Sequence, residues 1–223
     1  MTPRTEPPAR KPTITVSADR TFAPGVRYHD LQGKSFNDVV MAFTGRIQTW
    51  YIDQALRGAV SHEGFLRTVM SCIVLDLLSQ YYYDLPKSQE AGFRRFLCEQ
   101  IPEFSQPIEP PIRSYTYKNG WCEEAVGSLD HAFWHGFRCG IIHNGMVLEY
   151  GRISGPPVAP MIVQLRQRND GRGNEVAVNP NLLLDRVDQL FKKYMERLLD
   201  SAQVELRRNF AAKFERDFGI ECV

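Results

Sequence analysis

The sequence has almost no charge imbalance: 27 basic side chains against 26 acidic ones leave a formal net charge of +1. That near-neutrality excludes blanket attraction for nucleic acid, so any contact with a polyanion has to come from a local basic site or from two sites brought together. Long apolar runs are missing too. None approaches the roughly 20 residues that span a bilayer, and the best, Cys72 to Leu78, is interrupted by Asp76. The first residues lack the apolar stretch of a secretory signal. Five cysteines, Cys72, Cys98, Cys122, Cys139 and Cys222, are odd in number and show no C-x-x-C spacing. Reduced thiols in a cytoplasmic protein with no membrane partner are the expectation. No internal repeat is present.

What is there is the composition of a globular chain. Of 223 residues, 43% are apolar and 11% aromatic, enough to bury a substantial core. Residues 1–33, where Pro3, Pro7, Pro8, Pro12 and Pro24 alternate with basic side chains, read as a disordered tail. Residues 34–223 read as one helical domain. Ser35 is placed to cap a first helix carrying Val39, Phe43, Ile47 and Trp50, with Gly58 at its end. Ser61 opens a second, which stops before Pro86, and Ser88 a third, with Phe93, Phe96 and Leu97 on one face. Pro102, Pro107, Pro110 and Pro111 predict a rigid irregular connection. A helix from about Glu123 to Ile142 follows, then a β-hairpin insertion over about 146–178. Asn179-Pro180 opens a final long amphipathic helix, or two in series, to about Phe218. The predicted fold class is therefore all-α: a helical bundle with a small β-hairpin inserted before the last long helix.

The fourth helix carries the chemistry. Phe133, Trp134, Phe137 and Ile141 form its apolar stripe, while His131, His135 and Arg138 share another face. His143 falls well round from Arg138 on an unbroken helix. Gly140 and the Asn144-Gly145 pair predict that the helix frays there, letting His143 turn toward Arg138. An arginine grips a phosphate through parallel charged hydrogen bonds, and a histidine gives or takes protons near neutrality. RNA supplies its own nucleophile in the 2′-hydroxyl, so an acid–base group and a cation on the phosphate suffice without metal or cofactor.

Arg138-Cys-Gly-Ile-Ile-His143 resembles the Arg-x4-His signature of the HEPN superfamily, and the helical pattern over about residues 35–217 resembles that family's bundle. The resemblance implies a homodimer in which two such motifs meet in one composite, metal-independent endoribonuclease site. RNA is then cleaved through 2′-hydroxyl attack, leaving 2′,3′-cyclic phosphate and 5′-hydroxyl ends. Arg138 and His143 are its catalytic pair; His131, His135 and Asn144 are assigned to RNA positioning. The implied role is a toxin or antiviral defence effector held in check by an inhibitor or antitoxin. Two positions depart from the family's pattern. The residue after the arginine, commonly polar in nuclease-active members, is Cys139. The tyrosine carried two residues after the histidine by members under nucleotidyltransferase control is replaced by Gly145.

Rival readings attach to the same residues. A non-catalytic module that binds RNA or a protein partner uses the same helices. His131 and His135 have the H-x-x-x-H spacing of two metal ligands on one helix, with Cys122, Glu123 or Glu124 available to complete a site, but without the glutamate of an H-E-x-x-H protease. No metal is the expectation. Asp53, Glu63 and Asp76 are candidates to orient the arginine from neighbouring helices, and Cys139 reads as a buried thiol.

Overall fold

Ser35 turns the chain into its first helix. Its hydroxyl accepts the Asp38 N–H at 3.2 Å, supplying a partner for a donor that the helix itself leaves unpaired. From there α1 (Phe36–Ile47) runs through a π-helical stretch (Gln48–Ile52) into α2 (Asp53–Arg57). The computed structural model describes residues 19–57, 63–117, 121–155, 160–169, 171 and 173–222, with the side chains of 115–117 and 121–124 left aside. Gly58 and Ser61, expected at a helix end and a helix start, lie outside the described residues, as do Pro3, Pro7, Pro8 and Pro12 of the expected tail.

Helices α3 (Glu63–Tyr82) and α4 (Glu90–Gln100) follow, and α7 (Pro180–Leu199) and α8 (Val204–Phe218) close the chain. Asn179 caps α7 as its sequence implies. Its side-chain oxygen accepts the N–H groups of Asn181 and Leu182 at 3.1 and 3.2 Å, and Pro180 takes the first helical position. Central to the packing is α3, which lies against α4, α7 and α8. The core between α1, α3 and α8 is aromatic. The Phe210 ring lies 5.3 Å from those of Phe43 and Tyr81 and 5.6 Å from those of Phe36 and Phe214. No helix among the described residues is long and apolar enough to cross a membrane.

The all-α expectation is corrected by three small sheets set among these helices, which make the fold mixed α/β. β1 (Thr21–Ala23) pairs with β2 (Val26–Arg27) inside the stretch read as a disordered tail. It stays ordered because Phe22 is fully buried, its ring 5.2–5.7 Å from those of Tyr28, Phe214 and Phe218. β3 (Pro107–Tyr117) pairs antiparallel with β4 (Trp121–Ser128) where an irregular connection and a helix start were expected. A proline removes only its own ladder donor and is tolerated at bulges and strand edges. Here the register shifts between Pro107 and Ile112, so Pro110 and Pro111 fall in the irregular part.

In place of a plain hairpin insertion stands a mixed sheet of β5 (Gly151–Ile153), β6 (Val163–Gln167) and β7 (Asn174–Val178). Its order is β5-β7-β6, with β5 parallel to the fully buried end of β7 and β6 antiparallel along its whole length. The parallel partner was invisible to a reading of local turns, because its pairing residues are more than 20 positions apart.

Because Phe210 meets four other rings and is fully buried, Phe210→Ala is expected to destabilise the fold by about 3–5 kcal/mol. Chemical denaturation followed by circular dichroism measures this, and a loss below about 1 kcal/mol would mean that the cluster closes over the gap.

Candidate functional site

The motif segment leaves β4 at Ser128 and becomes helical at Leu129, not at Glu123. It forms α5 (Leu129–Ala132), a seven-residue π-helical stretch (Phe133–Cys139) and α6 (Gly140–Asn144). The widened middle has a local cause. The loop after the helix folds back onto Gly136, whose carbonyl accepts the Leu148 N–H at 2.9 Å. A Cβ at Gly136 would come within 2.7 Å of the Tyr150 ring, so only glycine permits the approach. π-helical turns are rare and recur at functional sites. Phe133 and Phe137, fully buried and stacked 5.3 Å apart, anchor the inner face.

Arg138 lies on the polar side, 11% exposed, with its guanidinium 4.8 Å from the Trp134 ring centre. Its Nη2 donates to Asp76 Oδ2 of α3 and to Ser88 Oγ, each at 2.9 Å, and Ser88 Oγ donates to Asp76 Oδ1 at 2.6 Å. Three elements meet in this triangle. Ser88, expected as the cap of α4, is used here instead, and Gln89 holds the cap position without a side-chain bond. Burial by itself would lower the Arg138 pKa, but the bond and charge of Asp76 more than offset it, so the guanidinium is held firmly charged. Its Nε is buried without a hydrogen-bond partner. Beside it, burial pushes the Cys139 thiol up in spite of the arginine, which keeps it protonated and a poor nucleophile. Of the other carboxylates expected near the arginine, Asp53 accepts from Gln48 at 2.8 Å and Glu63 pairs with Arg67 at 2.7 Å.

One to two turns earlier, His131 and His135 face the first residue of α4. Glu90 Oε1 lies 3.7 Å from His131 Nε2 and Glu90 Oε2 lies 3.6 Å from His135 Nε2, with the two rings 4.8 Å apart, edge to face. Arg94 bridges Glu90, at 2.9 Å, to Asp130, at 2.6 Å. Sequence reasoning missed Ser88, Glu90 and Arg94 as members of this row. The available signal was the polar face that Glu90 and Arg94 share opposite Phe93, but nothing local said which helix it would meet. Cys122, Glu123 and Glu124 belong to β4, and their side chains lie outside the described ones.

His143 does not join the row. The helix continues unbroken to Asn144 and stops cleanly on Gly145, whose left-handed φ of 68° suits glycine. The expected fraying that would swing His143 toward Arg138 does not occur. Five residues along, His143 stays about 140° round the helix from Arg138. It sits in an exposed run, 142–146, with Ile142, Asn144 and Met146. Within one chain the geometry thus unites Arg138 with Asp76 and Ser88, and His131 with His135 and Glu90; His143 and Asn144 stand apart.

Removing one partner of a mostly buried ion pair leaves the other uncompensated, so Asp76→Leu is expected to cost about 2–4 kcal/mol. Adding Arg138→Met should recover part of that loss, measured by urea denaturation of both variants. A double variant no more stable than Asp76→Leu alone would mean the charge pair is not what the substitution breaks. Comparison of the chain with protein-family models, with curated proteins and with solved structures finds no match.

Proposed function

We propose that the chain is a metal-independent endoribonuclease whose working site is shared between two copies of itself. On this reading Arg138 holds the scissile phosphate, and His143 exchanges protons with the attacking 2′-hydroxyl or the leaving 5′-oxygen. His131, His135 and Asn144 flank the bound strand. The observation that carries the reading is the split of the motif's two groups. Arg138 is braced against α3 and α4 with a buried N–H unspent, whereas His143 projects from the exposed end of the same helix. Within one copy the two groups point about 140° apart round the helix. Two copies apposed through the exposed helix end, where Ile142 and Met146 are 43% and 59% exposed, bring one copy's imidazole to the other's guanidinium. Such an activity fits a toxin or antiviral effector restrained by a partner.

A specific observation favours a second reading. Asp76 already neutralises Arg138, which suits a scaffold that binds RNA or a protein without cleaving it.

RNA incubated with the protein in EDTA is expected to yield cyclic-phosphate and 5′-hydroxyl ends. His143→Ala and Arg138→Ala should each lower the rate by about 10²–10⁴. Mixing the two inactive variants should restore part of the activity, because a heterodimer carries one intact site. Activity that survives both substitutions removes the nuclease reading, and intact RNA with a gel shift replaces it with the binding module.

A further inference from the structure

We propose that Glu90, His131 and His135 form a binding site for a divalent transition-metal ion of the zinc class, separate from the Arg138 and His143 pair. The donor set is two imidazoles one helical turn apart and one carboxylate from the facing helix, the combination that zinc takes in three-ligand sites. With one ligand atom from each residue the set lies within 4.8 Å, Glu90 Oε1 standing 3.7 Å from His131 Nε2 and Glu90 Oε2 3.6 Å from His135 Nε2. Around a tetrahedral zinc, with bonds of 2.0–2.2 Å, neighbouring ligand atoms stand about 3.3–3.5 Å apart. Rotation of the carboxylate to bring one oxygen between the rings, with rotation of the two imidazoles toward it, closes the set from a span of 4.8 Å.

The surroundings support the ligands. His131 and His135 are 13% and 10% exposed, which fixes their rings, while Glu90 is 38% exposed and leaves one side open to solvent. That open side is where a fourth ligand, water or an anion, would sit. Arg94 donates to Glu90 and is itself held by Asp130, so the carboxylate is oriented from behind, as the outer partners of metal ligands do. The local charge does not repel a cation: Glu90, Asp130 and Asp76 outnumber Arg94 and Arg138.

Protein stripped with EDTA, freed of chelator and titrated with Zn²⁺ by calorimetry is expected to take up one ion per chain. Co²⁺ in its place should give the strong visible absorption of a four-coordinate site. Glu90→Gln, at a partly exposed position that tolerates the change, should weaken Zn²⁺ binding at least about tenfold. His131→Asn should do the same, with circular dichroism in EDTA checking that each variant is folded. Absence of saturable uptake overturns the proposal, as does uptake unchanged in Glu90→Gln, which would put the ion elsewhere. The site shares His131 and His135 with the strand-flanking role, but Zn²⁺ uptake is measured without RNA and RNA cleavage in EDTA, so either idea fails alone.

Discussion

A guanidinium that is nine-tenths withdrawn from water has to be answered by a carboxylate, and in this chain that requirement draws three distant segments together. Arg138 comes from the motif helix, Asp76 from the middle of α3 and Ser88 from the turn before α4. Hydrogen bonds to charged groups are among the stronger ones, and leaving such a charge unmatched is more costly still. The triangle therefore fixes how the motif helix sits on the bundle. The Trp134 ring beneath the guanidinium, and the stacked Phe133 and Phe137 behind it, fill the space the polar face cannot. Once that helix is fixed, His131 and His135 have no choice but to face the start of α4.

Local signals carried a good part of this. Ser35 and Asn179-Pro180 were legible as helix starts because a cap is a short-range bond between a side chain and nearby amides. The shared face of His131, His135 and Arg138 followed from helical periodicity, and Asp76 was a visible candidate because an acid in an apolar run asks for a partner. The sheets were not legible. Pro110 and Pro111 look like strand breakers until the bulge in β3 is known, residues 123–128 fit a helix as well as a strand, and β5 meets β7 only across a long insertion. The end of the motif helix was misjudged for a related reason. Gly140 and Asn144-Gly145 suggest loosening, but the chain that follows returns to bond Gly136 and Gly140, which holds the last turn in place.

The motif helix therefore serves two groups in separate ways. Its first half offers imidazoles to a carboxylate in a recessed, solvent-touched row. Its last turn carries His143 outward among exposed apolar neighbours. The π-helical stretch contains His135 and Arg138 and separates His131 from His143, so its wider turns set the phase of these side chains along the helix. A substitution that restored ordinary helical hydrogen bonding there would shift one group against the other while leaving every ligand in the sequence.

Phe22 packs on Phe214 and Phe218, nearly two hundred positions downstream, and the carbonyl of Phe22 accepts from Arg46. During synthesis the hairpin of β1 and β2 emerges about 190 residues ahead of the rings of Phe214 and Phe218 that it closes against. At ribosomal speeds of roughly 5–20 residues per second, that interval is on the order of ten seconds or more. For that time Phe22 and Tyr28 have only each other and Arg46 to pack on, and the apolar surface destined for Phe218 stays open to water.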